Sequence, residues 1–306
     1  MKPLVSIVVP AYNHEEFVGQ AISSCIQQTY ANIEVIIVND GSTDNTATIC
    51  KDFARKDERV IYLEQTNRGA HAAINEGVKK SRSGYVAVLN SDDIFEPTKI
   101  ERCVNIVQAS PEINLVFGKI ELIDRKGRPI RKGVEADWLK RAYDFFGKTN
   151  NLPLSVLNEN FVATTSNMFF TKGLWKAVGG FQALRYCHDL DFLLASFRVG
   201  RAYCDIQNTH IEYRIHPSNT IKEDILNVRM EIAAVIAVHL CEYQLDLLGR
   251  SDKKTIGVFA EFLDNKQLSP LIIFFMMAYL KFKNKIGLYK MLQDDNTKAA
   301  LKSLLD

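Results

Sequence analysis

Apolar runs and helical patterns alternate along roughly the first hundred residues of the chain. The runs span residues 4–10, 33–40, 60–65 and 85–89, and each has the length and apolar content of a buried strand. The segments between them repeat their apolar residues at helical spacing. Such an alternation predicts βαβ units with right-handed crossovers. We therefore predict an α/β fold with a doubly wound, mostly parallel sheet.

Polar residues stand where three of the four predicted strands end. They include Tyr12 and Asn13 after the first strand, Asp40 after the second, and the adjacent pair Asp92 and Asp93 after the fourth. Because ligands of open α/β sheets bind beyond the carboxyl ends of the strands, we expect these side chains to converge on one site. Two adjacent carboxylates suit a hard cation, Mg²⁺ or Mn²⁺, that carries phosphate oxygens. An acidic cap on the following helix is the alternative.

Composition narrows the class of protein. With 306 residues, 47% of them hydrophobic, the chain can bury a large core. A formal net charge of +2 argues against a nucleic-acid partner. The six cysteines show no metal-binding spacing and predict reduced thiols of a cytoplasmic protein. Since an apolar run begins almost at once, we expect no signal peptide.

The last third of the chain is organised differently, because helical patterns replace strands after about residue 213. Patterns at 221–248 and 255–263 predict two helices. Ser269 and Pro270 then predict the cap and the first residue of a third helix.

This third helix opens with ten consecutive apolar residues, 271–280, and three lysines follow within 281–285. Ten residues are too few to cross a bilayer. The helix is either buried against the rest of the chain or a second subunit, or it is an interfacial anchor with its lysines on anionic headgroups. The second role would place the chain peripherally at the inner face of the plasma membrane.

Seven motifs follow one another along the chain in a fixed order. They are VSIVVPAYN, EVIIVNDGSTDNT, NRGAHAAINEG, YVAVLNSDD, SNMFFTKGLWKAVGGF, HDLDFLLASFRVG and YRIHPSN. In this order they resemble the family 2 glycosyltransferases, which have the type A glycosyltransferase fold with a Rossmann-like nucleotide-binding half. The resemblance covers residues 1–220, the predicted catalytic domain, and leaves 221–306 as a helical C-terminal extension for packing, oligomerisation or membrane contact.

The resemblance implies a nucleotide site. Asp40 matches the family acid that binds the imide of uracil, and a carboxylate, which only accepts hydrogen bonds, suits that donor. A turn residue before Gly41 is the structural alternative for Asp40. The residues expected at the nucleotide are Pro10, Ala11, Tyr12, Asn13, Asp40, Asn67, Gly69, Asn90, Ser91 and Asp92.

The resemblance also implies a site for Mn²⁺ or Mg²⁺, with Asp92, Asp93 and His216 as ligands. The common family motif begins with Asp where this chain has Asn90, whose amide still offers a carbonyl oxygen. A lone histidine is otherwise more often a surface or core residue. Arg214 is an accessory candidate for pairing with phosphate, the alternative being a solvated charge on a strand edge.

Asp189 matches the family general base, which removes the proton of the acceptor hydroxyl. His188 stands where the family has another acid, so it either orients or shields the base or merely replaces an acid at a helix start. Asp191 should point away from Asp189 and interact with the helix dipole. Attack opposite the leaving group would invert the anomeric centre.

The resulting prediction is an inverting, metal-dependent glycosyltransferase. It would move a sugar from a nucleotide-sugar, expected to be a UDP-sugar, to a carbohydrate or lipid-linked acceptor in surface polysaccharide or glycolipid synthesis. Residues 126–160, expected to be an irregular polar loop, would cover the acceptor. A homodimer is a further expectation. The alternative is a non-catalytic nucleotide-sugar-binding or assembly subunit, to which Asn90 and His188 point.

Overall fold

One mixed sheet organises the part of the chain that the structure, a computed structural model, describes: residues 2–242 and 253–302. Its strands are β1 (Val5–Ala11), β2 (Ile33–Asp40), β3 (Val60–Gln65), β4 (Tyr85–Val88), β5 (Ile94–Phe95), β6 (Ile113–Ile123), β7 (Phe169–Thr171) and β8 (Arg201–Arg214). Their spatial order is β3-β2-β1-β4-β7-β6-β8-β5.

The first four strands form the parallel half of the sheet. β2 pairs with β1 and with β3, and β1 pairs with β4, all in parallel. Ala11 lies opposite Asn39, and Asp40 lies opposite Gln65, so the strands end at a common edge. Every residue of β1 and β2 is buried, because helices cover both faces of this half. The predicted α/β fold with a mostly parallel sheet is confirmed.

The second half of the sheet is mixed. β7 runs antiparallel to β4 and β6, whereas β6 and β8 run parallel. β5 begins directly after Asp93 and pairs antiparallel with β8, with Ile94 opposite Glu212. This pairing brings the end of β8, and with it Arg214 and His216, to the acidic segment that follows β4.

Helices connect and cover the strands. Gly69 stands at the start of the third helix with φ +88°, a conformation that a residue with a side chain rarely adopts. The helices are α1 (Val18–Ile26), α2 (Thr46–Lys56), α3 (Ala70–Lys80), α4 (Lys99–Ala109), α5 (Val134–Thr149), α6 (Leu152–Asn158), α7 (Lys172–Val178), α8 (His188–Val199), α9 (Ile225–Glu242), α10 (Lys253–Asn265), α11 (Ser269–Phe282), α12 (Lys285–Met291) and α13 (Asp295–Lys302).

The chain divides into two compact units. The sheet unit comprises residues up to 136, 162–183 and 199–216, and the helical unit comprises 137–161, 184–198 and the residues from 217 onward. The predicted boundary after residue 220 lies close to the end of the sheet unit. The prediction differs from the structure in that two earlier segments, 137–161 and 184–198, group with the C-terminal helices.

The prediction of an irregular loop at 126–160 is wrong, because α5 and α6 occupy most of it. α5 buries only Leu139 and Ala142, so its apolar stripe is too thin to be recognised in the sequence. The Asn151 side chain caps α6 by accepting a hydrogen bond from Leu154 N at 3.1 Å.

Two predicted helix bounds also differ from the structure. The helix predicted at 221–248 begins at Ile225 in the structure, after a 3₁₀ turn at Thr220–Lys222, and the predicted residues 243–248 lie outside the described part. Ser269 is the first residue of α11 rather than its cap, and Leu268 takes the cap position.

Candidate active site

Three side chains of the sheet unit form a cluster that suits a divalent metal ion. His216 Nε2 lies 3.1 Å from Asp92 Oδ2. One potential ligand atom from each of His14, Asp92 and His216 lies within 4.8 Å of the others. Asp92 and His216 were predicted as ligands, but His14 was not. The sequence could have indicated His14, because this residue directly follows Tyr12 and Asn13, the polar residues after β1.

The backbone and a serine hydroxyl fix the position of His14. Its backbone N–H donates to Thr46 Oγ1 at 2.8 Å, and its Nδ1 lies 2.8 Å from Ser91 Oγ. A hydrogen bond at one ring nitrogen orients an imidazole and leaves the other nitrogen for a metal. Ser91, predicted to contact the nucleotide, is therefore also a support for His14.

The donor set fits a divalent ion. Imidazole nitrogen and carboxylate oxygen are both ligands of Mn²⁺. Burial would raise the pKa of Asp92, but the hydrogen bond from His216 and the nearby charges of His14 and His216 lower it below the ordinary value. A carboxylate that stays ionised is the form that binds metal.

Asp93, also predicted as a metal ligand, lies outside this group of three side chains. The side chain is 1% exposed. Ser166 Oγ donates to its Oδ2 at 2.5 Å, and Arg214 N donates to its Oδ1 at 3.0 Å. Burial and the neighbouring charge of Asp92 raise the pKa of Asp93 well above the ordinary value. Its contacts fix the acidic segment to β8 and to the 3₁₀ turn at Thr165–Asn167.

Arg214 is a buried support rather than a residue open to phosphate or solvent, which corrects both expectations. It is 1% exposed, and its guanidinium stacks over the Phe17 ring at 5.1 Å. Nε donates to the Asp92 carbonyl at 2.7 Å, and Nη2 donates to Gln20 Oε1 at 2.7 Å. Nη1 donates to two further backbone carbonyls, those of residues 124 and 125. The guanidinium thus holds the backbone of Asp92, one of the three side chains in the His14, Asp92 and His216 cluster.

Asn90 uses its amide within the protein. Nδ2 donates to Thr164 Oγ1 at 2.8 Å, and Oδ1 accepts from Thr165 Oγ1 at 2.9 Å. Its backbone N–H donates to Ser166 Oγ at 2.9 Å. An Asn at this position, unlike an Asp, supplies both a donor and an acceptor to these hydroxyls. Sequence analysis did not predict these contacts with the hydroxyl groups of residues 164–166.

Asp40 lies at the end of β2 and is 3% exposed. Its Oδ1 accepts from Gln65 Nε2 at 2.6 Å and from Arg68 N at 2.9 Å, while Oδ2 accepts from Gly69 N at 2.8 Å. These bonds fix the start of α3. A carboxylate has about four lone-pair sites, so three donors leave capacity for one more.

The other predicted nucleotide residues lie along the same edge of the sheet unit. Tyr12 is 44% exposed, and Asn13 follows with φ +50°. Asn13 Oδ1 accepts from Thr43 N at 2.8 Å, which joins the segments after β1 and β2. Pro10 and Ala11 are buried in β1, whereas Asn67 is exposed ahead of α3.

Asp189 lies in the helical unit, in the first turn of α8. Its Oδ1 accepts from Leu190 N at 2.7 Å. Burial, with a contribution from the charge of Glu231, raises the pKa of Asp189 to about 7. A carboxyl that titrates near neutral pH is suited to general-base chemistry. His188 is the first residue of the same helix and is half-buried.

Glu231 of α9 supports the segment before Asp189, a role that the sequence did not indicate. Its carboxylate accepts from three consecutive backbone N–H groups: Arg185 at 3.0 Å, Tyr186 at 2.7 Å and Cys187 at 3.0 Å. Three consecutive donors converging on one carboxylate fix a turn firmly. The turn delivers the first residues of α8.

Asp191 lies in the first turn of α8, as the expected interaction with the helix dipole requires, and it is also a buried anchor. Its Oδ1 lies 3.0 Å from His239 Nε2 and accepts from Tyr289 Oη at 2.6 Å. Lys285 Nζ lies 3.4 Å from its Oδ2. Burial opposes the charge, yet the hydrogen bond and charge of His239, together with Lys285, lower the pKa of Asp191. The cluster joins α8, α9 and α12.

Known proteins resemble this chain in sequence and in fold. An uncharacterized glycosyltransferase of Rickettsia typhi is 29% identical over 294 residues, which are 85% of this chain and 89% of the relative. One of Rickettsia prowazekii is 34% identical over 223 residues, 71% of this chain and 66% of the relative. The crystal structure of S. aureus TarS 1-349 in complex with UDP-GlcNAc has the same fold, with a TM-score of 0.63 at 18% identity, over 87% of this chain and 72% of that one.

A family model assigns the chain directly. The model described as Glycosyl transferase family 2 matches residues 6–176, more than half of the chain. The matched range contains β1 to β7 and the acidic segment after β4. This chain is a glycosyltransferase that belongs to glycosyl transferase family 2.

Proposed function

We propose that this glycosyltransferase transfers a sugar, with inversion, from a UDP-sugar to a hydroxyl of a saccharide or lipid-linked saccharide, as surface polysaccharide or glycolipid synthesis requires. The observation that carries the proposal is the His14, Asp92 and His216 cluster at the edge where the parallel strands end. Ligands of open α/β sheets bind at that edge. The structural neighbour TarS supports a uridine donor, since it was crystallised with UDP-GlcNAc.

Asp40 would recognise the base of the nucleotide. Its carboxylate already holds Gln65, Arg68 and Gly69, and its remaining acceptor capacity suits the N–H of a uracil imide. The exposed ring of Tyr12 would lie along the nucleotide, because it follows the neighbouring strand end. Guanine would need a different set of partners, so we expect UDP to be preferred to GDP.

The cluster favours Mn²⁺ over Mg²⁺, because Mg²⁺ prefers oxygen ligands and two of the three donors are imidazoles. When bound, the ion would neutralise the charge that grows on the leaving diphosphate. Ser91 holds the ring of His14, and Arg214 holds the backbone of Asp92, so the ligands are positioned before the donor arrives.

Asp189 would be the general base. With a pKa of about 7, its carboxylate is ionised above neutral pH and can take the proton of the acceptor hydroxyl. Glu231 would act as a positioning residue through the turn that precedes α8. Inversion by a single displacement requires a base of this kind to take the proton of the attacking hydroxyl.

Calorimetric titration tests the site. We expect UDP to bind in the presence of Mn²⁺, to bind more weakly with Mg²⁺, and not to bind measurably after addition of EDTA. Asp92→Asn should lower the Mn²⁺-dependent affinity by at least about 10- to 100-fold, the range known for disturbed metal sites. Asp93→Asn, the matched variant next to it, should retain metal-dependent binding because its oxygens face Ser166 and Arg214.

A screen of UDP-sugars for slow hydrolysis would then name the donor. UDP binding that is equal with Mn²⁺ and EDTA would contradict the metal site. If the protein binds neither UDP nor GDP in the same titration, the roles proposed for Asp40 and Asp92 are contradicted. Metal-dependent UDP binding without turnover of any donor and acceptor would instead favour the non-catalytic subunit.

A further inference from the structure

α11 of the helical unit has two apolar faces with different environments. One face is buried, with Leu271, Ile272 and Phe275, and it packs against α9. This observation supports the expectation that the helix belongs to a core. A buried helix and an interfacial anchor were predicted as alternatives, but α11 has enough apolar residues for a second face in addition to the buried one.

The second face is exposed. Ile273, Met277 and Leu280 are 59%, 62% and 66% exposed, and their spacing of four and three residues places them on one side of the helix. Phe282 and Ile286, just beyond, are also exposed. Eleven large apolar side chains are exposed among the described residues, and five of them lie within 273–286.

The charged residues in the sequence around this face have a single sign. Between residues 266 and 291 the sequence holds no Asp or Glu, and its lysines are Lys266, Lys281, Lys283, Lys285 and Lys290. Lys281 follows Met277 by four residues, so it continues the exposed stripe by one turn. Lys281, Lys283 and Lys290 are exposed, whereas Lys285 contacts Asp191. We call Ile273, Met277 and Leu280, together with these three lysines, the lysine-flanked face.

A second copy of the chain would fit this face poorly. In a two-fold dimer the same patch meets itself, so lysines would lie opposite lysines, and residues 266–291 supply no carboxylate to pair with them. Like charges placed together in an interface are unfavourable. An anionic lipid surface supplies what the face lacks, since headgroup phosphates would meet the lysines and acyl chains would meet the apolar side chains.

We propose that the lysine-flanked face docks on the surface of an anionic membrane. The contact is peripheral: among the helices within 2–242 and 253–302, none is long and apolar enough to span a bilayer. Apolar burial at the interface and attraction of the lysines would act together, as in interfacial helices generally. A lipid-linked acceptor would then be met at the surface where it resides, but docking itself does not depend on the identity of the donor or acceptor.

Vesicle flotation with the full chain tests the proposal. The protein should float with vesicles of phosphatidylcholine and phosphatidylglycerol, should float less with phosphatidylcholine alone, and should be released as salt rises. The double variant Met277→Glu and Leu280→Glu should reduce binding by at least about tenfold, since it places charge in the acyl boundary. Lys281→Gln, Lys283→Gln and Lys290→Gln together should reduce it by about tenfold or more.

Matched variants elsewhere serve as controls. Val134→Glu changes an apolar residue that is 80% exposed, and Lys56→Gln changes an exposed lysine of α2; neither should alter flotation. Calorimetric UDP titration of every variant separates loss of docking from loss of folding or of donor binding. Failure of the wild type to float with anionic vesicles, or equal flotation of the α11 and control variants, would overturn the proposal. Lipid-free dimers that Leu280→Glu dissociates, without vesicle binding, would assign the face to a second copy.

Discussion

Each unit contains one pair of acidic residues, and the two members of each pair differ in burial and in role. The pKa shifts of corresponding members are opposite in direction between the two pairs. Asp92 and Asp93 follow β4 in the sheet unit, and Asp189 and Asp191 lie in the first turn of α8 in the helical unit. In each pair one carboxylate is completely buried, and the other is only half-buried. The buried member holds its segment in place, and the other is the candidate for chemistry.

The partners of the buried member differ between the pairs. Asp93 accepts from a serine hydroxyl and a backbone N–H, and burial beside the charge of Asp92 raises its pKa. Asp191 is equally buried, but His239 and Lys285 lower its pKa. Burial alone therefore does not decide whether an acid is charged; the charge of its neighbours does.

In the half-buried members the directions are reversed: the pKa is lowered in the sheet unit and raised in the helical unit. Histidines around Asp92 lower its pKa, which suits a metal ligand. Burial, together with the charge of Glu231, instead raises the pKa of Asp189 to about 7, which suits a base. The surroundings of the two half-buried carboxylates thus make Asp92 the candidate metal ligand and Asp189 the candidate proton acceptor.

The largest expected effect comes from removing the proton acceptor. Asp189→Asn keeps the size of the side chain but cannot accept the proton, so we expect kcat to fall by about 10² to 10⁴. Steady-state kinetics with the cognate donor and acceptor would measure the loss.

Donor affinity is the internal control for that experiment. The role proposed for Asp189 is on the acceptor hydroxyl, and its side chain is not part of the His14, Asp92 and His216 cluster, so UDP affinity with Mn²⁺ should stay within about twofold of wild type. If kcat is unchanged in Asp189→Asn, then Asp189 is not the general base, and the two acidic pairs can be compared only as structural elements.

The next effect concerns the buried members, and it is measured as stability. Asp191→Asn leaves Lys285 and His239 without their buried counter-charge, which should cost about 3 to 5 kcal/mol of unfolding free energy. Asp93→Asn should cost only about 1 kcal/mol, because its partners are neutral and its raised pKa favours the uncharged form.

Urea unfolding of both variants at neutral pH would measure these costs. The Asn side chain is matched in size in both cases, so the difference between the two variants isolates the role of charge. Equal destabilisation would show that hydrogen bonding, rather than the charge of the neighbours, distinguishes Asp191 from Asp93.

The smallest effect is a shift in pH dependence. The folded pKa of Asp189 lies above its ordinary value, so the active carboxylate form is lost as pH falls below about 7. We expect kcat to fall about tenfold per pH unit on that side. Glu231→Gln removes a like charge, so the acid limb should move to lower pH, by less than about one unit.

Glu223→Gln is the control for this shift. Glu223 is an exposed carboxylate that pairs with Arg185 in the same region, but it does not contribute to the pKa of Asp189. Its kcat profile should match that of the wild type. An acid limb that stays in place in Glu231→Gln would leave Glu231 with a structural role only.

The sequence predicted the parallel half of the fold and the edge that carries the site, because buried parallel strands are apolar throughout and end in polar residues. It did not predict what holds that edge. Asn90 and Asp93 depend on hydroxyls at 164–166, more than seventy positions away, and such contacts have no periodic signature in a sequence. Glu231 was missed for the same reason, since one acid on an apolar helix does not indicate three backbone N–H partners.

The support that α9 gives to α8 sets a rule for exchanging parts between related enzymes. A chimera joined at the end of β8 would keep 184–198 from one parent and take α9 from the other. The N–H groups of residues 185–187 would keep their acceptor only if the second parent placed a carboxylate where Glu231 stands, and Asp191 would need an equivalent of His239. Exchange of the segment that carries Asp189 should therefore move 184–198 and α9 as one piece.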